Sequence, residues 1–120
     1  MSRKLNTQFA PYAKDFMDKF HTETVQEVQA AIRKHDVVVI GMSVNMAVKK
    51  VCQALDEQKI SYEYLEYGGY FSKWKERLAI KIWSGWPTFP QVFVKRRLIG
   101  GCKETRRGLK DGSVQELLAS

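Results

Sequence analysis

A chain of 120 residues with 44% hydrophobic and 12% aromatic residues has the length of one domain and enough apolar side chains to build a core. This composition excludes a disordered tract, a collagen-like repeat and a disulfide scaffold, and the longest apolar stretch, Val37 to Val48, is broken by Gly41, Ser43 and Asn45 and falls short of the ~20 residues of a bilayer span. The formal net charge of +7 suits an anionic partner or a solvated basic face, and no nucleic-acid recognition motif accompanies it, so nucleic acid is not the expected partner.

Residues 1–22 read as an N-terminal extension, and 23–120 as the domain. Arg3 and Lys4 precede no apolar core, which argues against a secretory signal, and the early Asp15 and Asp18 count against a transit peptide. A helical turn is expected over Pro11 to Phe20. Thr24-Val25-Gln26-Glu27 has the form of a capping box, in which the hydroxyl and the carboxylate each satisfy a free backbone N–H. Val25, Val28, Ala31 and Ile32 follow at helical spacing, with an end near His35.

Val37 to Ile40 is a β-branched apolar run suited to a strand buried on both faces. A helix is expected from Met46 to Gln58, with Val48, Val51, Cys52 and Leu55 on one buried stripe. Ser61 to Tyr67 alternates like a strand. Lys73 to Trp83 reads as a helix, and Gly85 suits a left-handed cap. Gln91 to Val94 and Leu98 to Ile99 read as two strands around a Lys95-Arg96-Arg97 turn. A helix should open at Cys102, and Ser113-Val114-Gln115-Glu116 looks like a second capping box for a short last helix. The early strand–helix–strand unit should be parallel with a right-handed crossover, and the late pair an antiparallel hairpin. The expected fold class is α/β, a mixed four-stranded sheet covered by helices on both faces.

Three segments of this order resemble the glutaredoxins, whose fold is thioredoxin-like. Trp86-Pro87-Thr88-Phe89-Pro90-Gln91-Val92 is similar to a segment of the monothiol, CGFS-type branch. That likeness implies a cis bond at Pro90 and a Phe89 backbone presented to the cysteinyl part of glutathione. Ile99-Gly100-Gly101-Cys102 is similar to the family's GGC turn, which receives the γ-glutamyl end. Glycines there let backbone approach a ligand closely, and the following helix offers free N–H groups to a carboxylate. Val37 to Leu55 aligns without gaps onto the first strand, active-site loop and next helix. The resemblance covers about residues 24–119.

In that alignment the family's cysteine tetrad falls on Asn45-Met46-Ala47-Val48, so Asn45 stands at the nucleophile's position. Met42 replaces the lysine ahead of it, and Lys103 replaces the aspartate after the GGC turn, with Glu104 next door. Arg77 and Lys81 fall where monothiol members place basic residues for the glycine carboxylate of glutathione. The resemblance therefore implies a glutathione-binding groove of Arg77, Lys81, Phe89, Pro90, Gly100, Gly101 and Cys102, and a role in thiol redox homeostasis without the standard oxidoreductase chemistry. It also implies that an iron–sulfur cluster is not bound, because the family's cluster ligand is the missing cysteine.

Asn45 is a preferred N-cap residue and cannot act as a nucleophile in disulfide exchange. Cys52 reads as a packing residue. Cys102 is the candidate catalytic thiol, with Lys103 and Arg106 near enough in sequence to favour a thiolate. Three readings stay open: a glutathione or glutathionylated-peptide binder, a non-catalytic module for a protein partner, and a thiol–disulfide oxidoreductase using Cys102. The two cysteines match no zinc pattern and read as free intracellular thiols, which points to the cytoplasm and leaves an organelle open. No metal site and no membrane association are expected.

Overall fold

The computed structural model describes residues 10–120. The reading of Met1 to Phe9 as lacking a signal lies outside the described residues. The elements run α1 (Pro11–Lys19), α2 (Thr22–Lys34), β1 (Val37–Gly41), α3 (Met46–Glu57), β2 (Glu63–Glu66), α4 (Trp74–Ser84), β3 (Gln91–Val94), β4 (Arg97–Gly100), α5 (Cys102–Asp111) and α6 (Ser113–Ala119).

The sheet is four-stranded in the order β2-β1-β3-β4. β1 pairs parallel with β2 (Val39 opposite Tyr64) and antiparallel with β3 (Val39 opposite Val92), and β3 pairs antiparallel with β4. All of β1 is buried, as a β-branched strand covered on both faces must be. Val38 and Ile40 point to one face, where Val28, Ile32, Ile80 and Phe93 from α2, α4 and β3 meet them. Val37 and Val39 point to the other, against Val51, Leu55, Leu109 and Val114 from α3, α5 and α6. Each fully buried aliphatic side chain contributes about 1.5–3 kcal/mol. The mixed sheet with helices on both faces is the one expected.

Several local details differ from the sequence reading. α2 begins at Thr22 behind a left-handed His21, so Thr24 is already inside the helix and its capping box does not form. Glu27 instead accepts a hydrogen bond from the Tyr67 hydroxyl. The box at Ser113 is also absent: Gly112 is the cap residue, with φ 86°, and the Ser113 N–H donates to Asp111 Oδ1 at 2.8 Å. The hairpin turn is tighter than expected, because Arg97 is already in β4 and only Lys95 and Arg96 make the bend. Cys52 is half-buried at the edge of the α3 stripe and not inside it. Burial raises its thiol pKa, with a hydrogen bond from Tyr62 working the other way. Gly85 does form the left-handed cap of α4, donating to the Lys81 carbonyl at 2.8 Å. Among the described residues no helix is long and apolar enough to cross a membrane.

Candidate functional site

β1 delivers the chain to a loop at residues 42–45 that ends on the first turn of α3. Val44 is left-handed (φ 53°), an uncommon conformation for a β-branched residue, and is exposed. Asn45 is extended, and its Oδ1 accepts the Val48 N–H at 3.0 Å. The amide oxygen thus satisfies one of the free donors of the helix terminus, as an N-cap residue should.

This loop is tied to a second one, residues 67–73. Gly68 O accepts both the N–H and the hydroxyl of Ser43, at 2.7 and 3.1 Å, and the Tyr67 N–H donates to Gly41 O at 2.9 Å. Arg77 anchors the second loop from α4: its Nη1 donates to Tyr67 O at 2.9 Å and to Ser72 O at 2.6 Å. Only 8% of Arg77 is exposed. The resemblance assigned Arg77 to a ligand carboxylate; the structure commits its Nη1 to two carbonyls, because the loop would otherwise leave them without donors. Nothing in sequence spacing signals that use.

Lys81, one turn further along α4, is only partly buried, and its Nζ stands 5.7 Å from the centroid of the Phe89 ring. Phe89 is buried and its bond to Pro90 is cis. Gln91 Nε2 donates to Trp86 O at 3.0 Å, and the Trp86 N–H donates to Ser84 Oγ at 3.1 Å, so the Trp86 to Gln91 turn is held by its own side chains.

The Gly100-Gly101 turn lies against this segment. A Cβ on Gly101 would sit 3.2 Å from Pro90 O and 3.4 Å from Trp86 Nε1. Gly101 therefore lets two backbone segments approach more closely than a side chain permits. Gly100 has φ 124°, and a Cβ there would lie 2.6 Å from Glu104 Cγ. Glu104 Oε1 accepts the Gly101 N–H at 2.9 Å, so this carboxylate is committed to capping α5. Beside the turn, Trp86 Nε1 and Gln91 Oε1 are buried and have no hydrogen-bond partner among the described residues.

Cys102, half-buried, opens α5 and shares a cleft of ≈ 540 Å³ with Met46, Ala47, Lys50, Lys103 and Arg106. It faces the first turn of α3, immediately after Asn45. Lys50 was missed from sequence, although its position one helical turn after Met46 puts it on the same face. Among the described residues, the cleft lining has three cationic side chains and no acidic one. Of the residues the resemblance implied, Gly101 packs against Pro90 O, Lys81 stands over Phe89, and Cys102 opens the cationic cleft; Gly100 packs against Glu104, and Arg77 ties down the neighbouring loop. The aromatic side chains divide as core and rim: Tyr67 is buried, whereas Phe71 is 103% and Trp74 58% exposed.

A parallel strand–helix–strand unit, an antiparallel hairpin and a cis-proline turn beside the N-terminus of α3 define a thioredoxin-like α/β protein. The Glutaredoxin family model matches residues 49–99. A "Glutaredoxin-like protein" from Dictyostelium discoideum is 42% identical over 113 residues, covering 94% of this chain and 92% of that one. The chain belongs to the glutaredoxin family. Monothiol glutaredoxin-4 of Schizosaccharomyces pombe is 32% identical over 73 residues, 58% of this chain but only 28% of that longer protein. In fold, the chain matches a mutated buckwheat glutaredoxin with a TM-score of 0.75 at 22% identity, covering 85% of this chain and 93% of that one. It also matches a buckwheat glutaredoxin–glutathione complex with a TM-score of 0.73 at 22% identity, over 82% of this chain and 89% of that one.

Proposed function

We propose that this glutaredoxin-family protein binds glutathione, or a glutathionylated peptide, in a groove of Lys81, Phe89, Pro90, Gly101 and Cys102, and that it lacks the family's usual thiol exchange because Asn45 occupies the nucleophile's position. The carrying observation is the Asn45 Oδ1 to Val48 N–H bond of 3.0 Å. A helix N-terminus is where a thiolate is stabilised, and here it is filled by an amide that cannot attack a disulfide. The close approach of Gly101 to Pro90 O and Trp86 Nε1 fits a backbone cradle for an extended peptide. Lys81 supplies a cation for a carboxylate. The buckwheat relative in complex with glutathione gives the ligand chemistry. Arg77 holds the 67–73 loop in place at the border.

In this reading the protein takes part in thiol redox homeostasis in the cytoplasm as a binder of glutathione or of a protein partner carrying it. A 2Fe–2S cluster is not expected, because the thiolate that would ligate it is replaced by Asn45; visible absorbance after anaerobic reconstitution overturns that expectation. The main test is titration with reduced glutathione followed by amide NMR shifts. Shifts confined to residues 42–46, 81, 89–90 and 100–103, with disulfide reductase activity at the blank rate, support the reading. Uniformly unshifted amides at millimolar glutathione sink it.

The cationic cleft at Cys102 supports a second reading, weak exchange at that thiol. The Cys102 thiolate attacks one sulfur of glutathione disulfide, a Cys102–glutathione disulfide forms, the original S–S bond breaks, and glutathione leaves as a thiolate that takes up a proton. Site-resolved mass spectrometry decides it: an adduct on folded protein that Cys102→Ser abolishes and Cys52→Ser retains. Reaction of both thiols only after denaturation leaves a binding module alone.

A further inference from the structure

A second cleft lies on the other side of the sheet from Cys102. β4 is an edge strand, and between the last turns of α2 and α4 its Leu98 is only partly covered, beside the buried Phe93 of β3. The opening has a volume of ≈ 630 Å³, within the range of small-molecule sites. Its floor is apolar: Ile32 and Phe93 are buried, and Trp83 stacks on Phe93 with centroids 5.8 Å apart and planes inclined by 30°. Arg33 from α2 and Arg96 and Arg97 from the hairpin stand on its rim with Gln29.

No acidic side chain lines this cleft. Asp36, just before β1, is paired with Lys95 of the hairpin at 3.7 Å. Among the described residues none of the three arginines has a carboxylate within 4 Å; Arg96 Nη2 reaches only the Arg33 carbonyl, at 3.4 Å. Three guanidinium groups around one opening repel one another unless an anion sits between them. The turn that brings two of them there is itself costly. Lys95 (φ 50°) and Arg96 (φ 69°) are both left-handed, a conformation that a two-residue hairpin usually gives to Asn-Gly. Backbone strain of this kind is kept where it places something useful. A hairpin tip with solvated charges explains neither the aromatic floor nor the absence of acids.

We propose that this cleft binds a small phosphorylated ligand with a flat apolar body, the chemistry of a nucleoside mono- or diphosphate. The planar body would lie on the Trp83, Phe93 and Leu98 floor. The phosphate would take the arginine forks, whose geometry suits bidentate contact with its oxygens. A single carboxylate would leave two of the three cations uncompensated, so a multiply charged phosphate is the better match. The site is separate from the proposed glutathione groove, which lies beside the N-terminus of α3.

The test is titration of the full chain with ADP and AMP, read by Trp fluorescence and by amide NMR. Saturable binding is expected, with shifts at Gln29, Arg33, Trp83, Phe93 and 96–98. Arg33→Ala and Arg97→Ala are exposed substitutions that leave folding intact, and each should weaken ADP about tenfold or more while glutathione-induced shifts stay unchanged. Three results overturn the proposal. One is no saturation at millimolar ADP. Another is equal competition by inorganic pyrophosphate, which makes the rim an anion patch with no use for its floor. The third is much tighter binding of an oligonucleotide with a steep salt dependence, which makes it a nucleic-acid surface.

Discussion

The groove proposed for glutathione has two walls, and they are built in different ways. On one side the Trp86 to Gln91 turn and Gly100-Gly101 meet backbone to backbone, with Gly101 leaving only 3.2 Å between the place of its absent Cβ and Pro90 O. On the other side the loop at 42–45 presents side chains: exposed Val44, half-buried Asn45 and exposed Met46. A backbone wall tolerates few substitutions, since any side chain added at Gly101 must displace a neighbour. A side-chain wall can change its chemistry at little cost to the fold, as Asn45 does by capping α3 through its own oxygen. In the proposed groove, ligand shape and side-chain chemistry thus rest on separate parts, and one can change while the other persists.

The largest effect should come from changing the chemistry of the side-chain wall. Asn45→Cys puts a thiol at the N-terminus of α3, where the helix dipole and free N–H groups favour the thiolate. Glutathione-dependent reduction of a mixed disulfide should rise by roughly 10²-fold over the wild-type blank, from an essentially absent thiolate to a well-populated one. The same change removes a cap and should lower stability by about 1 kcal/mol in a urea titration. An Asn45→Cys protein that is folded, binds glutathione and stays inactive would show that a thiol at this helix terminus is not sufficient for exchange.

Breaking the backbone wall should be the next largest. Gly101→Val places a branched side chain against Pro90 O and Trp86 Nε1, and overpacking of this kind costs about 1–3 kcal/mol. Glutathione-induced NMR shifts should disappear. Gly112→Ala is the matched control: its φ is 86° but nothing lies within 4 Å of the added atom, so only the backbone conformation is penalised. It should cost about 1 kcal/mol and leave glutathione binding untouched. If the two variants lose binding alike, the effect is global loosening and the wall has no special role.

Much of this arrangement is legible in the sequence, for a definable reason. The β1 run, the α3 stripe and the Gly85 cap are local patterns, and local patterns are what periodicity and capping chemistry report. The cis bond at Pro90 and the close approach at Gly101 fall in short segments that resemble family motifs, and their backbone demands are also local. The failures involve residues whose partners are remote in the chain. Thr24-Val25-Gln26-Glu27 satisfied a capping rule, yet Glu27 is used by Tyr67, forty positions away. The resemblance gave Arg77 to a ligand carboxylate, whereas its Nη1 is a buried tie between α4 and the 67–73 loop. Arg33 and Arg96 meet across 63 positions, so their shared cleft has no sequence signature.

A smaller effect tests the side-chain wall without any ligand. Asn45→Ala deletes the Oδ1 that accepts from Val48 and leaves the backbone extended. The expected loss is about 1 kcal/mol, seen as a lower urea midpoint with an unchanged slope. Asn45→Asp keeps an acceptor and adds a negative charge at the helix N-terminus, so it should match or exceed the wild type in stability. If Asn45→Ala costs nothing, the amide is not capping α3, and its presence needs a ligand to explain it.

The smallest expected effect concerns Tyr67, which links the two loops of the site to α2. Burial, then the hydrogen bond and charge of Glu27, push its ionisation well above the ordinary 10.0. The folded chain therefore holds this proton more tightly than the unfolded chain does. Its contribution is fully present below pH 10 and is lost as pH rises from there toward the folded-state value. Tyr64 is shifted in the same direction by burial and by Glu66, so the whole chain should lose stability above about pH 10. Tyr67→Phe should cost less than about 1 kcal/mol at neutral pH, because Glu27 is exposed and regains water when its partner is removed. Its alkaline decline, followed as the urea midpoint between about pH 8 and pH 11, should be shallower than that of the wild type, with the remainder left to Tyr62 and Tyr64, both also shifted upward mainly by burial. An unchanged decline would mean that the Tyr67–Glu27 link opens before the tyrosine ionises, so that α2 and the 67–73 loop move independently of each other.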